Sequence, residues 1–298
     1  MDFTILTYRQ LLNALLSRGC VFQTFSEYLK DPAEKAVILR HDVDARKEHA
    51  LRFAKIQAEP GIRGSYYFRV APQSWDEKII REINDLGHEI GYHYETMESV
   101  SAKWKKGNVR WKRKMQDGKC KMQDAKYKMQ EIVDVAYEEF CRNLEMFRRI
   151  VPVETICMHG SPLSKFDNRE IWKKYDYRSL GIIGEPYFDL DFRRVAYLTD
   201  TGRMWDGERF SVRDKAPQKE YRISNIEYRM SNGGNSRPGY HSTFDIIRAV
   251  ENGTFPLPVM MTFHPQRWHD SMLSWSRELI FQKAKNLVKR GFFVSRDR

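Results

Sequence analysis

Two carboxylates, Asp42 and Asp44, stand two positions apart in the string Arg40-His41-Asp42-Val43-Asp44, directly after the apolar run Ala36-Val37-Ile38-Leu39. Side chains at this spacing point the same way if the strand persists. Two close carboxylates need either a shared proton or a cation between them, and a hard metal ion is the common solution. Asp44 has an equally good structural reading as the N-cap of the helix that follows. A second cluster runs Gly87-His88-Glu89-Ile90-Gly91-Tyr92-His93-Tyr94-Glu95. Imidazole suits Zn and similar ions, and mixed Asp/His ligands leave room for a bound water. His93 and Glu95 share a strand face, whereas His88 falls on the other and reads as structural.

Alternating strands and helices must position these groups. A helical period (Leu11, Leu12, Leu15, Leu16) ends at Gly19, and Ala36–Leu39 has strand length. The segment 45–61 reads as a helix with Ala50, Leu51, Ala54 and Ala58 on one face, stopped at Pro60-Gly61. The aromatic GSYYFRV (64–70) suits a strand, and DEKIIREINDLG a helix with Ile79, Ile83 and Leu86 in register. Such alternation argues for βα units, a mainly parallel sheet, and an active face at the C-terminal strand ends. Residues 100–150 break the rhythm. Positions 114–134 read KMQDGKC, KMQDAKY, KMQEIVD, and Met115, Gly118, Met122, Ala125, Met129, Ile132 and Ala136 form a heptad-like seam. With Val133, Ala136, Phe140, Leu144 and Phe147 on a continuing face, one long helix or a bent helical pair is expected up to Arg149. Further on, VPVETICMHGSP reads as a strand leading to a polar loop, NREIWKKY as a helix, and VAYLTDTGRMW as a strand and turn. RMSNGGNSRPGYHS reads as an exposed loop, LPVMMTFHP as a buried strand ending in His264, and SRELIFQKAKNLVKRG as a closing helix.

The order of RHDVDA (40–45), GSYYFRV (64–70), GHEIGYH (87–93), MHGSP (158–162), TDTGRMW (199–205) and MMTFHP (260–265) resembles the NodB-homology polysaccharide deacetylases of carbohydrate esterase family 4. More closely, it resembles a cytoplasmic branch associated with bacterial surface-polysaccharide gene clusters. The resemblance implies an α/β fold, a distorted (β/α) barrel, here with a long inserted basic helical segment. It divides the chain into a helical extension over 1–35 and a barrel domain over 36–298 that includes an insertion at about 100–150. It implies hydrolysis of an N-acylated sugar or glycan intermediate, with acetyl as the expected acyl group. In that scheme Asp42 is the base that activates water, Asp44 and His93 bind a divalent metal, His264 is the acid that protonates the departing amine, and Asp200 orients His264. Zn is the first expectation for the metal, with Co or Ni as alternatives and a metal-free site left open. Trp205 and Trp268, beside the Asp200 and His264 segments, are the aromatics expected to stack on substrate.

Two departures from the family pattern matter. The second metal histidine normally lies four residues after the first, but position 97 is Met97, a poor ligand for a hard ion. His159 is preferred as third ligand over Glu95, which otherwise reads as a substrate contact. His159-Gly160-Ser161-Pro162 also stands where an arginine-bearing segment is usual. The arginine that holds the base aspartate is then missing, and Arg40 or Arg69 is its substitute.

Composition narrows the function classes. With 51 Lys and Arg against 40 Asp and Glu, the 298-residue chain has a net charge of +11. A surplus of +9 lies between Lys103 and Lys128, so the remainder is nearly balanced. Nucleic acid is therefore not the expected partner of the main activity, although Trp104 and Trp111 interleave with the basic residues as on stacking-plus-charge surfaces. Two other readings stay open: hydrolysis of a different C–N amide, or a metal-independent variant of the reaction, and a non-catalytic polyanion binder using the basic helix 103–128. The seam over 108–136 also offers a route to self-association. Four cysteines without CxxC spacing suit a reducing compartment, and no apolar run approaches a membrane span, so a cytoplasmic protein is expected.

Overall fold

A computed structural model describes residues 1–107, 122–160, 166–205, 239–280 and 282. The chain begins α1 (Ile5–Ser17), β1 (Val21–Gln23), α2 (Phe25–Lys30), β2 (Ala36–Val43), α3 (Lys47–Ala58), β3 (Ser65–Phe68), α4 (Glu77–Asp85) and β4 (Glu89–Tyr94). Two further helices follow, α5 (Thr96–Gly107) and the longer α6 (Met122–Arg148). Then come β5 (Ile156–Met158), 3-10 turns at Asn168–Lys173 and Tyr177–Leu180, the short α7 (Pro186–Asp189), β6 (Ala196–Thr199), α8 (Thr243–Glu251) and β7 (Val259–Phe263). NREIWK is thus a 3-10 helix rather than an α-helix.

All pairings are parallel, and the sheet order is β5-β4-β3-β2-β7-β6. The sheet curls into half a barrel; among the described residues no ladder joins β5 to β6. β2 is the axis of this arrangement. Its eight residues are all buried, as expected of a parallel strand covered on both faces. β1 pairs with Ala36–Ile38 and β3 with Arg40–Val43, so the two share one edge of β2 in succession. The first 35 residues are therefore more than a helical extension, because β1 is part of the sheet and α1 packs against α8.

The helices cover the sheet through the faces their sequences mark. Thr4 caps α1 by accepting from the Thr7 N–H, and Tyr8, Leu11, Leu12 and Leu15 are buried. Asp76 caps α4, whose buried residues are Ile80 and Ile83, with Ile79 and Leu86 packed at the margin. The continuing face of α6 is buried at Val133, Ala136, Phe140, Leu144 and Phe147. The seam fares differently: Ile132 and Ala136 are buried, whereas Met129 is exposed, and 108–121, with Met115 and Gly118, lie outside the described residues. Of the two expectations, one long helix or a bent helical pair, the described residues show a pair, α5 and α6, packed on each other and joined by Ser99 and Lys103 to Glu139. Residues 229–238 of the expected exposed loop 229–242 and most of the expected closing helix also lie outside the described residues; at the loop's described end Tyr240 is buried and Ser242 caps α8. No described helix is long and apolar enough to cross a membrane.

Because every strand runs the same way, Val43, Phe68, Tyr94, Met158, Thr199 and Phe263 end on one rim. The polar residues that follow them become neighbours there.

Candidate metal centre

Arg40 and Asp42 are two positions apart on β2 and share a face. The Arg40 Nε and Nη2 donate to Asp42 Oδ1 and Oδ2 at 2.8 and 2.6 Å, a bidentate pair with both residues buried. Tyr187 lies against the guanidinium, 5.3 Å from CZ to its ring centroid, and the Tyr187 and Tyr197 hydroxyls accept from Nη1 at 3.4 Å. Burial works against the charge on Arg40, but Asp42 overcomes it and holds the pKa well above the ordinary value. Of the two arginines expected to substitute, Arg40 therefore holds Asp42. Arg69 donates instead to Glu95 Oε2 at 2.6 Å and to the Asp44 carbonyl at 3.3 Å. After β2 the chain turns through Arg46, which has φ 52° and is the N-cap of α3 without a side-chain cap bond. Asp44 is thus not the cap.

Asp44 meets two histidines from across β3, one on β4 and one just after β5. On β4, Gly91 leaves room for the Tyr67 ring, which an added Cβ would overlap. Two residues on, His93 Nδ1 lies 3.0 Å from the Cys157 carbonyl, and Nε2 is 3.5 Å from Asp44 Oδ1 and 3.8 Å from Asp42 Oδ2. The β4–β5 register pairs His93 with Cys157 and Tyr94 with Met158, and the His159 N–H extends the ladder by donating to the Tyr94 carbonyl at 2.8 Å. His159 consequently stands beside His93, with ring centroids 5.2 Å apart and Nε2 3.6 Å from Asp44 Oδ1. Asn168, fully buried, fixes this turn. Its amide donates to the His159 carbonyl at 2.7 Å while its oxygen accepts from the Met97 and Glu98 N–H groups at the start of α5.

The donor set fits a divalent ion. Asp44 Oδ1 is buried and has no hydrogen-bond partner, although two imidazole nitrogens face it. Ligand atoms on a tetrahedral Zn at about 2.0–2.2 Å lie roughly 3.4 Å from one another, close to the separations just given. Burial pushes Asp44 up, but contact with His93, and then His159 and His264 around it, overcome that and hold the carboxyl well below its usual range. Burial pushes His159 down to about 3, against the pull of Asp44, so its ring is neutral at pH 7 as a ligand must be. His93 moves the other way: burial lowers its pKa, but Asp42 and Asp44 raise it above the ordinary value. Asp42, His93 and Cys157 also converge within 4.8 Å, as do Glu95, Glu98 and His159. Met97, four residues after His93, is fully buried among Val100, Ile132, Val133, Ala136 and Ile171.

Across the rim, Asp200 after β6 and His264 after β7 form a second constellation. His264 Nδ1 lies 2.6 Å from Asp200 Oδ1, and its backbone N–H donates to Oδ2 at 2.9 Å. Trp268 Nε1 and Arg267 Nη1 also donate to the Asp200 carboxylate, at 2.8 and 2.9 Å. Burial raises the Asp200 pKa, but His264 and Arg267 overcome it and leave it below the usual value. With Nδ1–H given to Asp200, Nε2 is the free nitrogen of His264, 3.9 Å from Asp44 Oδ2. Gln266 donates to that same Asp44 oxygen at 3.3 Å.

Asp42, Asp44, His93, His159, Asp200 and His264 therefore occupy one rim. The expectation of stacking faces at Trp205 and Trp268 is corrected: they are 3% and 0% exposed, and their rings pack with Phe3, Phe53 and Phe263. Trp205 Nε1 donates to Thr243, and Trp268 serves the site from inside by its bond to Asp200. Glu95 stands on the far side of His159 from Asp44, 3.3 Å from Nδ1. Sequence reading missed Asn168, Glu98, Gln266 and the Tyr187 and Tyr197 support of Arg40. Asn168, Tyr187 and Tyr197 carried no local signal, because each reaches the rim from an element remote in sequence, whereas Glu98 and Gln266 lie within three residues of Glu95 and His264. Comparison of the chain with models of protein families, with curated proteins and with solved structures finds no match in any of the three.

Proposed function

We propose that the chain is a metal-dependent hydrolase that removes an acyl group, acetyl in the first place, from an N-acylated sugar or glycan intermediate, on a distorted barrel of the NodB-homology type. The observation that carries the reading is the orphaned, buried Asp44 Oδ1 between the Nε2 atoms of His93 and His159, flanked by a clamped carboxylate and an Asp-supported histidine. The ordered motifs of the sequence support the same reading.

A divalent ion held by Asp44, His93 and His159 would polarise the acyl carbonyl and lower the pKa of a bound water. The chain's own residues account for the proton traffic. Asp42, fixed by the Arg40 fork, takes a proton from the attacking water. His264 sits 3.9 Å from Asp44 with Nδ1 committed to Asp200, so Nε2 is the atom that hands a proton to the leaving amine. The products balance as one carboxylic acid and one free amine for each water consumed. Asp42 neighbours His93, which faces Asp44 Oδ1, whereas His264 faces Oδ2, so base and acid are separate groups, as a step that adds water at carbon and protonates nitrogen requires.

The test is acetate release from N-acetylated sugars and glycan oligomers by the purified full chain, with and without chelator. Loss of activity on chelation and recovery with Zn or Co is the expected result. Undiminished turnover in a metal-free preparation would sink the metal-dependent reading, and full activity in both Asp42→Asn and His264→Ala would remove the base and acid assignments.

A further inference from the structure

The face of His159 turned away from Asp44 is as polar as the face turned toward it. Nδ1 lies 3.3 Å from Glu95 Oε2 and 3.9 Å from Glu98 Oε2. His159 Nδ1 and Glu98 Oε2 are both buried and have no hydrogen-bond partner. Arg69, just beyond β3, donates to the same Glu95 oxygen at 2.6 Å and to the Asp44 carbonyl at 3.3 Å, so it spans from one side of the ring to the other.

A neutral imidazole carries one hydrogen, and its position decides which face can bind a cation. With the hydrogen on Nε2, the lone pair of Nδ1 would face Glu95 and Glu98, an alternative cation group. With the hydrogen on Nδ1, the two glutamates receive it and the Nε2 lone pair faces Asp44. Arg69 separates the two cases. Its guanidinium already neutralises Glu95, and a second cation there would sit against a fixed positive charge. The glutamate face is thus electrostatically suited to a polar hydrogen and poorly suited to a metal. His93 shows the same polarity, with Nδ1 against a carbonyl and Nε2 toward Asp44.

We propose that Glu95, held by Arg69, is a positioning residue that fixes His159 with its hydrogen on Nδ1 and so presents Nε2 as a ligand beside Asp44 and His93. This rests on the metal-centre reading above and assigns the carboxylate that such histidines commonly require behind them. It replaces the expectation that Glu95 contacts substrate or metal directly.

The tautomer can be read without metal or activity. Long-range proton–nitrogen correlation spectra of the full, metal-free chain, labelled at histidine nitrogens, report which ring atom carries the hydrogen. His159 is assigned by comparison with His159→Gln, and the His41 and His88 signals serve as internal controls of the fold. The expected result is an Nδ1–H ring in the wild type and in Glu95→Gln, which keeps an acceptor oxygen. In Glu95→Ala the ring should move to Nε2–H, and zinc affinity measured by competition should fall about 10–100-fold. An Nε2–H ring in the wild type overturns the proposal even if Glu95→Ala fails to fold. So does an unchanged tautomer and affinity in a folded Glu95→Ala. If the tautomer moves as stated but the wild type binds no zinc, the metal reading fails while the positioning role holds. If zinc binds and the tautomer ignores Glu95, the reverse is true.

Discussion

The two ends of β4 carry the same residue types in opposite conditions. At its start, His88 accepts from the Gly64 N–H at Nδ1 and donates to the Ala54 carbonyl from Nε2, at 3.1 and 2.9 Å. Next to it, the half-buried Glu89 receives the hydroxyls of Ser65 and Thr155 and the N–H of Ser26. At the other end, His93 has one nitrogen against a carbonyl and the other 3.5 Å from a carboxylate oxygen without a partner. Buried polar groups are normally satisfied, so the first end reads as construction and the second as a place prepared for something else. Identity of residue type teaches little here; what separates the two ends is whether every donor and acceptor is already used.

The sharpest way to break that contrast is to exchange its members. Asp44→Asn, His93→Ala and His159→Ala should each weaken zinc by more than about 100-fold, beyond what loss of an orienting residue costs, and abolish acetate release. His88→Gln should leave stoichiometry and affinity unchanged. Equal losses in both groups, measured by zinc competition, would erase the distinction. Next in size, Asp42→Asn or His264→Ala should lower kcat by about 10²–10⁴-fold with the metal still bound, the range of a lost general base or acid. A change confined to KM would move these residues from proton transfer to substrate binding.

The remaining effects concern stability. Arg40→Met strands a buried carboxylate and should cost about 3–5 kcal/mol in urea unfolding, with the double variant Arg40→Met/Asp42→Asn recovering part of it. Full additivity of the two substitutions would show that the clamp is not a coupled pair. The smallest effect is on pH. Burial pushes His88 down to about 4, and both its nitrogens are engaged as a neutral ring, so a second proton would face the Gly64 N–H. Through His88 the unfolded chain binds more protons than the folded one between about pH 6.5 and 4, so its contribution to stability falls as pH drops through that window, while Glu185, pushed up to about 7 by burial, contributes with the opposite sign. His88 accounts for on the order of 3 kcal/mol of this loss at pH 4. His41, pushed down to about 3 by burial, extends the decline further. Thermal melts should show a shallower decline above pH 4 in His88→Gln; an unchanged slope would mean that His88 does not titrate with unfolding.

Much of the rim was legible because strand alternation is a local property. Asp42, Asp44 and His93 could be placed from apolar runs that stop abruptly, and the same period would have put Arg40 on the face of Asp42. Trp205 and Trp268 were misread because proximity in sequence to Asp200 and His264 says nothing about which side of the rim a ring turns to. Both turn inward, where their apolar area is buried against Phe3 and Phe263. Met97 was set aside as a poor ligand for a hard ion on its side chain alone; its place in the α5–α6 contact depends on a helix more than thirty residues away.

By itself the sequence determined the alternation of strands and helices from β2 to β4 and the buried strand β7, though not β1 or α2, together with the polar strings at the strand ends and the separation of the basic segment from a charge-balanced scaffold. Those follow from periodicity and composition, which act within a few residues. Only the tertiary structure decided that His159 rather than Glu95 joins Asp44 and His93, because that choice lies in the β4–β5 register and in the amide of Asn168. It also decided that Arg40 rather than Arg69 holds Asp42. Both arginines lie near the rim, and the geometry of a fork over one carboxylate is set by neighbouring strands and by Tyr187, which no local spacing can encode.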